Sequence, residues 1–199
     1  MPDYLDRLSK FVCDTHLESL EPSTVNAAKA VVLDTIGAML AGSRLPENAK
    51  LAQLAAKTGG QGPATLLGQP GSASAVFAAL SNATAGVALE MDEGNRLGGG
   101  HAAIHVIPAA LAVAEERGAT GKEFLESVIA GYEVTSRIGT GTAVKKTVHS
   151  HGTWGTIGSA VATAKLMGFD EAQTTLAINM AASMSPANTW TPCIEGATI

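Results

Sequence analysis

The amino-acid sequence predicts an all-α protein, a multi-helix bundle with at most one short strand or hairpin. Three observations predict it. Apolar residues recur at three- and four-residue spacing in one segment after another. Ala and Gly are abundant while aromatic residues make up only 4% of the 199 residues, which suits helices packed through small side chains. Only Gly62 to Gly68 reads as a strand, and a lone strand or hairpin cannot found a sheet.

Taken in order, Asp3 to Leu17 carries Leu5, Leu8, Phe11 and Val12 at helical spacing, with Asp3 as N-cap. His16 then reads as a cation favoured at a helix C-terminus. Glu21-Pro22-Ser23 punctuates. Val25, Ala28, Val32, Ile36, Met39 and Leu40 give a second helix, ended by Gly42, with Asp34 as a polar contact on it. Pro46 to Thr58 is a shorter helix stopped by Gly59-Gly60. After the strand-like piece, Pro70-Gly71-Ser72 turns the chain into a long Ala-rich helix, Ala73 to Met91. The next helix opens at His101 and runs to Arg117, and Pro108 within it suggests a kink or a late start. Thr120 with Glu123 forms a capping box for a helix to Ile138, followed by a polar loop from Gly139 to Thr147. Ile157 to Met167 is an Ala/Gly-rich helix closed by Gly168, and Asp170 caps a last helix to about Met184. From Pro186 the pattern is irregular, and one domain is expected over 1–199.

With 46% hydrophobic and 16% charged residues, disorder is excluded. The net charge is -5 without a basic stripe, so nucleic acid is not an expected partner. Cys13 and Cys193 form no metal-ligand pattern and suggest a reducing compartment. The acidic N-terminus lacks a signal-peptide core, and no apolar run reads as long and clean enough to span a membrane. A cytoplasmic protein with no membrane partner is expected.

The chemistry concentrates in two stretches. In Leu89 to His105, the carboxylates of Glu90, Asp92 and Glu93 are followed by three glycines and by His101 and His105. In Val148 to Gly155, His149 and His151 stand beside Ser150 and two glycines. Carboxylate plus imidazole is the usual equipment for moving protons near neutral pH. His101 lies at a helix start just after Gly98-Gly99-Gly100, where backbone N–H groups favour an anion. His105, four residues on, reads either as part of the site or as a satisfied helical histidine flanking it. His-x3-His can bind zinc, but the metalloprotease pattern needs Glu after the first His, and Ala102 stands there. No metal is therefore expected. Trp154 reads as core. This equipment suits abstraction of a proton α to a carboxylate, for elimination or epimerisation of a small polycarboxylic acid. No nucleophile elbow, phosphate loop or dinucleotide fingerprint is present.

The order of these pieces resembles the N-terminal helical domain of the MmgE/PrpD family, which includes 2-methylcitrate dehydratase, cis-aconitate decarboxylase and iminodisuccinate epimerase. The most specific pieces are Leu89-Glu90-Met91-Asp92-Glu93, His101 seven before Pro108, His149 with Gly155 and Gly158, Ala164-Lys165-Leu166-Met167-Gly168, and Glu195-Gly196-Ala197-Thr198-Ile199. The resemblance implies a homodimer without metal or organic cofactor, whose site lies between the helical domain and a smaller α+β lid absent from this chain. It places the family's catalytic histidines on His101 and His149 and centres its acidic motif on Asp92. The sequence departs from the dehydratase and decarboxylase pattern at Asp92-Glu93-Gly94, where Asp-Asp-Thr is usual. It departs again at His149-Ser150-His151 (His-Pro-Thr) and His101-Ala102-Ala103 (His-Pro-Ser).

The expectation is a lyase or isomerase acting on a small di- or tricarboxylate. His101 and His149 serve as acid or base, Asp92 orients one of them or handles a proton, and Glu90, Asn95, Arg96, Ser150 and His151 bind substrate. Two alternatives stay open: a non-catalytic helical interaction or dimerisation subunit, and a metal-dependent hydrolase.

Overall fold

Helix starts and stops follow the local chemistry closely. The computed structural model describes residues 3–149, 152–186 and 189. Among them are eight α-helices: α1 (Tyr4–Asp14), α2 (Pro22–Gly42), α3 (Pro46–Thr58), α4 (Ala75–Val87), α5 (Ala102–Arg117), α6 (Gly121–Gly141), α7 (Gly155–Leu166) and α8 (Glu171–Ser183). Asp3, Thr120 and Asp170 each close a capping box, which satisfies amide groups that the first helical turn leaves unbonded. Pro22 and Pro46 open α2 and α3, where a missing N–H costs nothing. The strand-like piece is β1 (Ala64–Thr65), paired antiparallel with β2 (Ser72–Ala73). Among the described residues the fold is all-α apart from this hairpin.

α5 is the central helix. It packs against α4, α6 and α7 and buries Ala103, Ile104, Val106, Ile107 and Ala110. α8 and then α1 continue the stack beyond α7, while α2 and α3 cover α4. Small residues set the spacing. Gly131 of α6 and Gly158 of α7 face each other so closely that a Cβ on Gly158 would occupy the place of the Thr135 hydroxyl. The segment Ala164 to Gly168 has a structural use: Lys165 Nζ donates to the Val12 carbonyl at 2.8 Å and closes the end of α1.

Several boundaries differ from the sequence reading. α1 stops at Asp14, and Leu17–Ser19 forms a separate 3-10 turn. His16 therefore lies beyond α1, with Nδ1 3.7 Å from the buried Glu126 carboxylate, which also accepts the Leu17 N–H. α5 starts at Ala102 and runs without a break past Pro108. α6 runs on to Gly141, because Gly139 lies flat against the Gly98 carbonyl and Thr140 Oγ1 donates to the Leu97 carbonyl at 2.9 Å. α2 is long and apolar enough to cross a membrane by length and composition, contrary to the expectation that no such run exists. It carries Lys29 and Asp34 in that apolar run and packs on α4, where an embedded span would have to desolvate both charges.

Candidate active site

α4 ends at Val87, four residues short of the expected Met91. Glu90 takes a left-handed backbone (φ 52°), which breaks the helix there. A non-glycine residue in that region carries about 1–3 kcal/mol of strain, and such strain collects where a loop must be aimed. Glu90, Asp92 and Glu93 therefore lie in the connection to α5 and not on a helix end.

Much of that connection is held by hydrogen bonds. Asn95 is its hub. Its N–H donates to the Gly100 carbonyl at 2.7 Å, and its own carbonyl accepts from Gly99 at 2.9 Å. Its side-chain oxygen accepts the Gly98 N–H at 2.7 Å, and its side-chain amide donates to Ser136 Oγ at 2.8 Å and Tyr132 Oη at 3.1 Å. Asn95, expected to bind substrate, thus spends both ends of its amide on the loop and α6. Glu93 completes the clamp: it accepts from the Tyr132 hydroxyl at 2.5 Å and from the Ala103 N–H at 3.1 Å. The anion expected at the start of α5 is supplied by the protein itself. Burial first, and then Glu93, push the Tyr132 phenol pKa up.

The clamp presents His101, the N-cap of α5, to Asp92. Nδ1 of His101 stands 3.0 Å from Asp92 Oδ2, with side-chain exposures of 31% and 2%. Burial raises the Asp92 pKa, and the charge of His101 acts against that rise. His149 is buried in the segment that leads into α7, and its carbonyl accepts from Thr153 Oγ1 at 3.0 Å. The two histidines are linked through a third. His105 has its pKa lowered to about 4, by burial first and then by the charges of His101 and His149. Three imidazoles and one buried carboxylate therefore share a neighbourhood at the starts of α5 and α7. Trp154 is buried core, as expected.

Glu90 and Arg96 are exposed on the connection. Ser150 and His151 lie outside the described residues. Among the described residues no three His, Cys, Asp or Glu side chains come together as a metal-ligand set. An open groove of about 750 Å³ lies between α1 and α6, with Arg7, Phe11, Asn95, Tyr132 and Arg137 in its wall. None of Asp92, His101 or His149 lines it, and the histidine cluster is the better candidate because the titratable groups converge there. Sequence reasoning passed over Tyr132, Ser136 and the role of His105. The available signal was Tyr132 and Ser136 four apart on one face of α6.

The stretch that holds these helices, the acidic connection and both histidine-bearing helix starts is matched by a known family. The model of the MmgE/PrpD N-terminal domain matches residues 6–191. The chain belongs to the MmgE/PrpD family. A comparison of the MmgE/PrpD chain with curated proteins finds no match. The family includes dehydratases and isomerases.

Proposed function

We propose that this MmgE/PrpD domain is the catalytic half of a lyase or isomerase that removes a proton α to a carboxylate of a small di- or tricarboxylic acid. The observation that carries the reading is the contact of His101 Nδ1 with the buried Asp92 carboxylate at 3.0 Å, with His149 near enough to act on the same His105. With Nδ1 held by Asp92, Nε2 of His101 is the nitrogen that exchanges a proton with substrate. Asp92 fixes the ring's orientation and steadies the imidazolium that forms. His149 is the second acid–base group: it protonates a departing hydroxyl in an elimination, or delivers a proton to the opposite face in an epimerisation. Arg96, Glu90, Ser150 and His151 contact substrate oxygens, and Asn95 contributes by holding the loop.

The same reading includes a homodimer, a lid domain supplied from beyond residues 1–199, a cytoplasmic location, and no metal or organic cofactor. A second reading, a non-catalytic dimerisation subunit, draws on exposed apolar side chains of α2 and α4, such as Leu33 at 73% and Val76 at 76% exposure. The test is a mass-spectrometric screen of di- and tricarboxylic acids against the full-length assembly in deuterated water. Uptake of solvent deuterium at an α-carbon, or loss of water, supports the enzyme. Inertness toward every acid favours the dimerisation subunit.

A further inference from the structure

His105 joins the two histidine-bearing turns. It lies one turn into α5, largely buried. Its Nε2 accepts the N–H of Gly152 at 3.2 Å, in the turn that follows His149. An accepting Nε2 requires a neutral ring with its proton on Nδ1. Gly155, the first residue of α7, has no side chain, and a Cβ there would fall inside the His105 ring. Ser159 Oγ, one turn into α7, donates to the His105 carbonyl at 2.7 Å. Ring and carbonyl of one residue thus hold the start of α7 at two points.

We propose that His105 is a positioning residue: as a neutral acceptor it holds Gly152 and the start of α7 against the start of α5, and so sets where His149, just before them in the chain, stands relative to His101. The purpose rests on the acid–base reading above, in which both rings face one substrate. The strut itself stands on the geometry alone. Among the described residues, the titratable groups acting on His105 are His101 at the start of α5 and His149 before α7. Both charges oppose its protonation, as does burial, so the acceptor persists through neutral pH.

The test uses the purified chain with 15N-labelled histidine, read by long-range proton–nitrogen spectra and by exchange of the Gly152 amide. In the wild type, His105 should show a neutral ring protonated on Nδ1 at pH 6 and a protected Gly152. His105→Gln offers an oxygen to the same N–H and should keep that protection and the His149 ring shifts. His105→Leu should speed Gly152 exchange about tenfold, the scale of one lost hydrogen bond, and move the His149 signals. Wild-type exchange and unchanged His149 signals in His105→Leu would overturn the proposal. If that variant does not fold, acid titration of the wild type decides. A Gly152 amide that follows the His105 titration supports the strut, and one that ignores it refutes it. Neither readout uses a substrate, so an inert result in the carboxylic-acid screen leaves this outcome standing.

Discussion

The starts of α5 and α7 each deliver a histidine, and they are built differently. His101 is carried by a connection whose bonds are mostly to its own neighbours: Asn95 to Gly98, Gly99 and Gly100, and Glu93 to Ala103. Its carboxylate partner, Asp92, is nine residues away in sequence. His149 is carried by a turn whose anchors are remote, with Gly152 bonded to His105 across 47 positions and Ser185 Oγ bonded to the Thr153 carbonyl across 32. Two histidines that the proposed reaction would use together are thus held by a mostly local clamp and by a tertiary one. The first should tolerate loosening of the bundle; the second should not.

The largest expected effect separates chemistry from support. Asp92→Asn keeps the shape and removes the charge that pairs with His101. Turnover should fall by ~10²–10⁴-fold, the usual weight of an acid–base group. Stability should hold or rise, because burial pushes the Asp92 pKa up and a neutral amide carries no such burden. Steady-state kinetics with a thermal melt checks both. A melt lowered by several degrees would make Asp92 a structural residue.

The tertiary clamp should be sensitive to acid. The folded His105 pKa of about 4 lies below the 6.5 of an unfolded histidine, so the unfolded chain binds that proton first. Stability is then full above about pH 6.5 and is lost as pH falls toward 4, by roughly 3 kcal/mol over the interval. Urea melts between pH 7 and 4.5 should show that slope, and His105→Gln should flatten it. An equal slope in both proteins would assign the acid sensitivity to other groups.

Gly155→Ala attacks the same clamp sterically. The methyl group enters the His105 ring, so a loss of about 1–3 kcal/mol is expected in the same melts. Gly141→Ala, at a helix end with open space around it, is the control that should cost far less. The smallest effect belongs to the tie between the His101 connection and α6. Tyr132→Phe removes the hydroxyl that Glu93 accepts from, and should cost ~1 kcal/mol. Glu93→Gln should couple to it in a double-mutant cycle, and strict additivity would remove the Glu93–Tyr132 contact from the account.

The same division governs what could be read from the sequence. The three capping boxes depend on residues three apart, and Asp3, Thr120 with Glu123, and Asp170 were all legible. The strand-like reading of Gly62 to Gly68 came from local pattern and turn residues, while its partner strand, Ser72–Ala73, lies where the next helix was expected to begin. The early end of α4 was not legible, because it depends on Glu90 taking a left-handed backbone while Glu93 is drawn to α5 and Tyr132. The extension of α6 through Gly139 was hidden for the same reason: the Gly98 carbonyl and the Leu97 carbonyl, some forty residues earlier, are what hold it helical. His101 and Asp92 were visible as a pair of residue types. The place of His105 between the two histidines was not, since helical spacing ties it to His101 and says nothing about Gly152.

The measurement that most directly tests the acid–base reading is deuterium exchange at the α-carbon of the acid that emerges from the screen, by the full-length protein and by its His101→Ala and His149→Ala variants. The expected result is exchange or elimination by the wild type and a loss of at least ~10²-fold in each variant, with melts close to the wild type. Exchange within a few-fold of wild type in either variant would contradict the role given to that histidine, and in both it would remove the proposed chemistry from this site.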